Sequence, residues 1–263
     1  MLIFFISCVF LGAFAGFLAG LLGIGGGLIV VPVLVYLLPL INVSNEVIMP
    51  MALATSLAAI VVTSTSATLA HNKNNNIPWK ITNPLMFTVA FGALLGAFIA
   101  DLLSAEALTN FFAIAVIVLA SYMLASIRFR NTKTLPSKLK LQCICFMTGI
   151  VASLTGMAGG AILVPVLTYF GMPLRNCIGI ATVCGVMVAF FGSLGYIISG
   201  LDNTLLPKWS VGYVYLPALL GIVLTSSFFA PVGVKFASNL PVQTLKKIFA
   251  VFLILVALKM ILA

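Results

Sequence analysis

The chain has 263 residues, of which 63% are hydrophobic and only 6% are charged. A soluble domain carries about 25% charged residues, so a soluble chain this apolar could not cover its own surface with polar groups. Thirteen Lys and Arg against four acids give a net charge of +9. The bases lie scattered in short loops and form no basic stripe, which excludes nucleic acid as a partner. The apolar composition and the basic loops together indicate an integral membrane protein.

Ten apolar segments follow one another along the chain. A bilayer core of about 30 Å needs about 20 residues of helix, and open strands cannot satisfy their backbone groups in lipid, so we expect an all-α polytopic membrane protein. The second and seventh segments are short, and each follows a cluster of glycines. Because the first segment recurs inside the chain, we interpret it as retained structure and not as a signal peptide. The predicted segments are 2–22, 27–41, 47–70, 81–101, 106–127, 141–157, 160–171, 177–199, 209–234 and 240–263.

The positions of the charges predict how these segments are oriented. The linker RFRNTKTLPSKLK, residues 128–140, is rich in bases, which places it in the cytoplasm by the positive-inside rule. Alternation then puts every other base inside except Lys208 and Lys259, and it puts all four acids and both termini outside. We therefore predict an N-terminal unit of five segments in 1–127, a basic cytoplasmic linker in 128–140, and a C-terminal unit of five segments in 141–263.

The two units repeat each other in sequence. Residues 16–34 match 149–167 at a shift of 133, and residues 96–113 match 233–250 at a shift of 137. Each unit has an odd number of segments, so the second copy must lie upside down relative to the first. Such inverted repeats recur among secondary transporters, and we predict two inverted five-segment repeats with Gly-rich broken or re-entrant hairpins.

Each repeat carries a glycine cluster followed by a short apolar stretch with a proline: GLLGIGGGLIVVPVL at 20–34 and SLTGMAGGAILVPVL at 153–167. Glycine tolerates the backbone angles of a sharp reversal, and the first N–H groups of the helix that follows lack internal partners, which favours anion binding. We expect the two tips to meet near the midplane and bind substrate. Two full passes would give the same charge pattern as a hairpin, and close helix packing is the alternative role for the glycines. The predicted site glycines are Gly23, Gly25, Gly26, Gly27, Gly156, Gly159 and Gly160.

Hydroxyl side chains share one face of the third segment, Thr63 among them, and two of them recur in the eighth segment at a shift of 127. Hydroxyls can complete the hydrogen bonding of an oxyanion, although bonds between helices or to carbonyls one turn back are alternatives. No charged residue lies clearly in mid-membrane, so we expect neutral donors and helix dipoles to hold the anion. The predicted site hydroxyls, with Thr55 and Thr182 foremost, are Thr55, Ser56, Ser66, Thr182 and Ser193.

Other kinds of site have little support in the sequence. A phosphate-binding Walker loop ends in Gly-Lys-Ser/Thr, but Leu28 follows the first cluster. One histidine and five cysteines in apolar stretches offer neither a zinc pattern nor an H-E-x-x-H motif, so we predict no metal, no cofactor and no enzyme. His71 is interpreted as an ordinary loop histidine, with a proton-sensitive gate as the alternative. Arg175 is interpreted as a topology determinant, with attraction of anions to the entrance as the alternative.

The stretches GFLAGLLGIGGGLIVVPVL and GIVASLTGMAGGAILVPVL resemble the duplicated signature of the sulfite exporter TauE/SafE family of membrane permeases. The resemblance covers both halves, although the second copy has Met157 and Ala158 where the first has Ile24 and Gly25. It implies transport of small sulfur-containing anions, namely sulfite, sulfonates such as sulfoacetate, or related organic acids. It also implies a bacterial or archaeal cytoplasmic membrane.

Together these features predict a multi-pass cell-membrane protein that exports small anions by alternating access, as a secondary transporter. A passive anion channel and a non-transporting membrane assembly factor are the alternatives. The expected partners are the anionic substrate and membrane lipid. A coupling ion, H⁺ or Na⁺, and a homodimer are compatible with the sequence.

Overall fold

The helices of the chain follow the apolar segments closely. The structure is a computed structural model that describes residues 2–22, 26–125, 136–236 and 242–262. A 3₁₀ turn follows the second helix, and two short strands precede the ninth. The elements within the described residues are α1 (Leu2–Leu22), α2 (Gly27–Leu37), the 3₁₀ turn (Leu38–Ile41), α3 (Asn45–Lys73), α4 (Trp79–Leu102), α5 (Ala105–Ala125), α6 (Lys138–Leu154), α7 (Gly160–Tyr169), α8 (Leu174–Ser199), β1 (Ser210–Val211), β2 (Val214–Tyr215), α9 (Leu216–Phe236) and α10 (Val242–Leu262).

Two of these helices are only about half as long as a bilayer core is thick. Helix α2 has 11 residues and α7 has 10, so at 1.5 Å per residue they extend about 16 and 15 Å, against about 30 Å for the hydrocarbon core. In the described part of the chain, six helices (α1, α3, α4, α5, α8 and α9) are long and apolar enough to cross a membrane. The predicted all-α membrane fold is confirmed, and its short helices are the ones that follow the glycine clusters.

The start of the ninth predicted segment is not helical. Residues 209–215 form a two-stranded antiparallel hairpin, the 209–215 hairpin, and α9 begins only at Leu216. Gly212 turns this hairpin with a φ of +52°, and a Cβ at that position would collide with the backbone of Ile197 in α8. The left-handed turn and its close approach to α8 both require glycine, and they reverse the chain before the helix starts.

Helices α3 and α8 form the centre of the bundle. The first half of α3 is buried without interruption from Val47 to Leu57. Helix α8 packs against α3 and α4, while α1 packs on α9, α4 on α6, and α5 on α10. Large apolar side chains such as Phe10, Phe91 and Phe228 are exposed, which is expected of a surface that faces lipid.

Segments that the charge pattern puts on the same side of the membrane contact each other. The Tyr213 hydroxyl in the hairpin donates to Asp101 Oδ1 at the end of α4, at 2.9 Å. The Nζ atom of Lys259 near the end of α10 lies 4.8 Å from the ring centroid of Tyr36 near the end of α2. On the side predicted to be cytoplasmic, Gly179 near the start of α8 packs on the loop between α3 and α4.

Candidate functional site

A cavity of about 220 Å³ lies between α1, α3, α7, α8 and α9. One water molecule needs about 10–15 Å³ of such space, so a small oxyanion has room in this cavity. Small and hydroxyl-bearing side chains make up most of its wall. The lining residues are Ala19, Thr63, Ser64, Ser66, Ala67, Ala70, His71, Ala158, Gly160, Ile178, Ala181, Thr182, Ala230 and Pro231.

The N-terminus of α7 borders this cavity through Gly160. Gly159 precedes the helix with a φ of +69°, and no side chain caps the helix. The N–H groups of Ile162 and Leu163 donate to Gly159 O at 3.1 and 2.9 Å, so the N–H groups of Gly160 and Ala161 have no acceptor within the helix. The positive end of the helix dipole therefore lies beside the cavity, where it favours a negative charge.

Four hydroxyl side chains border the cavity from α3 and α8. Thr63 donates to Ile60 O at 3.2 Å, and Thr182 donates to Gly179 O at 2.9 Å. Each of these two hydroxyls already donates its hydrogen to a backbone carbonyl, so it must rotate before it can donate to a ligand in the cavity. Ser64, which is buried, and Ser66, which is exposed, line the same wall. An anion in the cavity could receive hydrogen bonds from all four after hydroxyl rotation.

Charge around the cavity favours anions. None of the described lining side chains is a carboxylate, and His71 carries the imidazole, the side chain whose ordinary pKa lies closest to neutral pH. The imidazole is half-buried, and its Nδ1 lies 3.4 Å from Nδ2 of Asn76. In the described part of the chain, no cluster of three His, Cys, Asp or Glu side chains is placed to hold a metal ion.

The two glycine clusters meet in the middle of the bundle. A Cβ at position 27 would collide with the carbonyl oxygen of Gly156, so glycine at this position permits the contact. Ser56 Oγ donates to the same carbonyl at 2.9 Å. In the described part of the chain, a void of about 10 Å³, about the space that one water molecule needs, lies beside Gly26 and Ser56. The described part of the first tip is therefore closed in this conformation, while the second tip borders the cavity at Gly160.

Three of the predicted site residues, Ser66, Gly160 and Thr182, line the large cavity. Gly26 and Ser56 border the small void, and Gly27, Gly156 and Gly159 form or flank the contact between the tips. Two further predicted positions, Gly23 and Gly25, lie outside the described residues.

Two predicted hydroxyls lie elsewhere and make structural hydrogen bonds. Thr55 Oγ1 accepts from the backbone N–H of Tyr215 at 3.0 Å, which attaches the 209–215 hairpin to α3. Ser193 Oγ donates to Phe190 O, one turn back in its own helix, at 3.0 Å. Neither residue lines the two cavities described above.

Sequence reasoning did not single out Ser64 as a site residue, and it treated His71 as an ordinary loop residue. A signal was present, because Thr63, Ser64, Ser66 and His71 recur at helical spacing on the last third of α3. The apolar residues between them and the loop asparagines after them obscured that pattern.

Comparisons with known proteins agree with this picture. The family model described as Sulfite exporter TauE/SafE matches residues 8–260. The chain is 40% identical to a probable membrane transporter protein of Haemophilus influenzae, with 100% of both chains covered. It is 24% identical to the probable membrane transporter protein YunE of Bacillus subtilis, covering 98% of this chain and 97% of that one. A probable membrane transporter protein of Methanocaldococcus jannaschii is also 24% identical, over 86% of this chain and 84% of that one. No solved structure matches the chain.

Proposed function

The chain belongs to the sulfite exporter TauE/SafE family of membrane transporters, and we propose that it is a secondary transporter that exports sulfite, sulfonates or related sulfur-containing organic anions. The observation that carries this proposal is the 220 Å³ cavity at the uncapped N-terminus of α7, which is bordered by hydroxyls and a histidine and lacks a lining carboxylate. Partial positive charge and neutral donors hold an oxyanion without trapping it, as a carrier requires.

The predicted orientation makes this cavity face the cytoplasm. Helices α1, α3 and α9 run inward in that orientation, and the lining residues Ala19, Thr63 to His71 and Pro231 lie in their last parts. Helix α8 runs outward, and its lining residue Thr182 lies near its start. All these positions belong to the cytoplasmic half of the bundle. An exporter has to present such a cavity to the cytoplasm in order to load its substrate.

The proposed inverted repeat is supported by matching contacts in the two halves. Gly16 in α1 packs on Ser226 in α9, and Gly149 in α6 packs on Val89 in α4. The shift of 133 relates Gly16 to Gly149, and the shift of 137 relates Val89 to Ser226, so the two pairs occupy equivalent positions of the two repeats. Exchanging the two repeats also takes α1 to α6 and α9 to α4, and both helix pairs, α1 with α9 and α6 with α4, pack together.

The short helices support re-entrant hairpins within these repeats. A Cβ at Gly27 would lie 3.1 Å from Cδ1 of Ile60, which is about halfway along α3. Helix α2 therefore starts near the middle of the bundle and returns toward the end where α3 begins. Helix α7 repeats this arrangement from the opposite side, so we propose that each glycine tip reaches the membrane interior and turns back there.

The 209–215 hairpin closes the opposite, extracellular end in this proposal. Tyr215 is bonded to Thr55, and Tyr213 donates to Asp101 and accepts from Asn203 Nδ2 at 3.2 Å. Burial raises the pKa of the Tyr213 phenol; the Asn203 hydrogen bond lowers it, and the Asp101 carboxylate raises it. The phenol therefore keeps its proton and donates at neutral pH. Export would require these bonds to break while the cytoplasmic side closes, which is alternating access.

A passive channel is the second candidate, and the packing at the tips favours a carrier over it. A channel needs a continuous path, whereas in the described residues the contact between Gly27 and Gly156 and the buried first half of α3 lie beyond the cavity. A non-transporting assembly factor would have no use for a polar cavity at a helix N-terminus.

Uptake into proteoliposomes tests the proposal. Purified protein should carry labelled sulfite, thiosulfate or a sulfonate with saturable kinetics and should exchange internal for external anion. Carboxylates of similar size should be carried less well. Saturation and counterflow exclude a channel, and an absence of flux for every anion under every gradient would favour an assembly factor.

A further inference from the structure

The single histidine of the chain, His71, lines the proposed anion cavity near the end of α3. Among the described lining residues, no other side chain has an ordinary pKa near neutral pH. A protonated imidazole would give this described part of the wall a full positive charge. The cavity thus combines a place for an anion with a place for one proton.

The charges around His71 make its protonation depend on an anion. At this end of the bundle the described charged side chains of the surrounding elements are all bases, while Tyr169 and Cys177 are the neutral titratable groups nearby, and no carboxylate lies among them. The four acids stand at the start of α3, the end of α4, the start of α5 and the loop after α8, which is the opposite end. An imidazolium therefore has no carboxylate partner. The bases are Lys73 of α3, Lys80 of α4, Lys138 and Lys140 of α6, Arg175 of α8 and Lys235 of α9.

Asn76 lets the imidazole exist in both charge states. Its Nδ2 faces Nδ1 of His71 at 3.4 Å, a long contact in which a neutral imidazole accepts from the amide. A half-turn of the Asn76 amide presents its oxygen instead, and this oxygen accepts from a protonated Nδ1. The partner thus remains in place when the proton arrives.

We propose that His71 takes up a proton from the cytoplasmic solution together with the substrate anion, so that the loaded cavity holds an anion beside an imidazolium. This inference rests on the proposed function and deepens it by naming the ion that binds with the substrate. Anion binding and proton binding must strengthen each other by the same factor, because linkage between two sites is reciprocal.

The pH dependence of anion binding tests this proposal. Methanesulfonate is the probe, because a sulfonic acid keeps its single charge throughout the range. Its dissociation constant for the wild type should be about tenfold larger at about pH 8 than at about pH 4.5, where the imidazole is protonated with or without the anion. His71→Gln should bind with the weaker value at both pH values, and His71→Lys, which keeps its charge, should bind with the tighter value at both. Lys73→Gln, next to the cavity but outside its wall, is the matched control and should keep the tenfold ratio.

The single histidine also allows a direct readout by NMR. With a purification tag that lacks histidine, selectively labelled protein gives one imidazole signal, whose shift reports protonation. Saturating methanesulfonate should move the protonation midpoint upward by about one pH unit, and uncharged dimethyl sulfone should leave it in place. The inference is overturned if methanesulfonate does not shift the protonation midpoint of the imidazole. It is also overturned if His71→Gln keeps the wild-type ratio of dissociation constants at the two pH values. In either case the proposed function stands. Failure of the wild type to bind any anion at any pH would overturn both.

Discussion

Replacing Gly27 by alanine should disrupt the contact on which the two glycine tips depend. The added Cβ would collide with Gly156 O and lie 3.1 Å from Ile60 Cδ1, so the two backbones would have to separate. Overpacking of this kind destabilises by about 1–3 kcal/mol, and the buried Ser56 bond to Gly156 O contributes about 1 kcal/mol that would also be lost. We expect a loss of at least about 2 kcal/mol, which lowers the unfolding midpoint by about 4–8 °C for a chain of this size.

Gly26 provides the matched control for this experiment. Its φ of −72° is ordinary, and a Cβ there would lie 3.4 Å from the Ala15 Cβ, so Gly26→Ala should change the midpoint by no more than about 2 °C. A thiol-reactive dye can follow unfolding, because Cys8, Cys145 and other thiols are buried in the folded protein. Transport should fall further with Gly27→Ala than with Gly26→Ala. Equal midpoints and equal transport for the two variants would refute the packing argument.

Three further predictions concern the cavity, the hairpin and the orientation. Thr182→Val removes a lining hydroxyl at constant shape and should weaken anion binding about threefold to tenfold in equilibrium binding with little effect on the unfolding midpoint; unchanged binding would remove Thr182 from the site. Tyr213→Phe removes the bond to Asp101 and should increase labelling of the proposed extracellular end by a water-soluble reagent, whereas unchanged labelling would mean that this bond does not hold the hairpin closed. Asp202→Cys should react with an impermeant maleimide from outside and Lys138→Cys only from inside, and the reverse pattern would invert the proposed topology.

Much of the fold was predictable because the length of each apolar segment and the positions of the glycine clusters determine local structure. Each of the ten predicted segments overlaps a helix in the described residues, and the short helices begin at Gly27 and Gly160, directly after the clusters. The 209–215 hairpin was not predictable in this way. It carries no charged residue that would separate it from the helix that follows, and its reversal depends on Gly212 and on a bond to Thr55, 160 residues earlier in the chain.

The candidate site was predictable in its chemistry but only partly in its position. The sequence treats Thr55 and Thr182 as equivalent positions of the two repeats. In the structure Thr55 holds the hairpin, while Thr182 lines the cavity. The proposed inverted repeat has two equivalent ends, and which of them is open is a property of the conformation. Ser64 and His71 border the cavity for the same reason, because they lie at the end that is open.

Protection of a cavity residue by substrate tests the central claim most directly. Ser66→Cys, in a Cys143→Ser background that removes an exposed thiol, places one reactive sulfur on the wall of the cavity. In inside-out vesicles, sulfite or methanesulfonate should slow its reaction with an impermeant maleimide in proportion to occupancy, and dimethyl sulfone should not. Labelling that no anion slows, or that proceeds only from the extracellular side, would contradict anion binding in a cytoplasm-facing cavity.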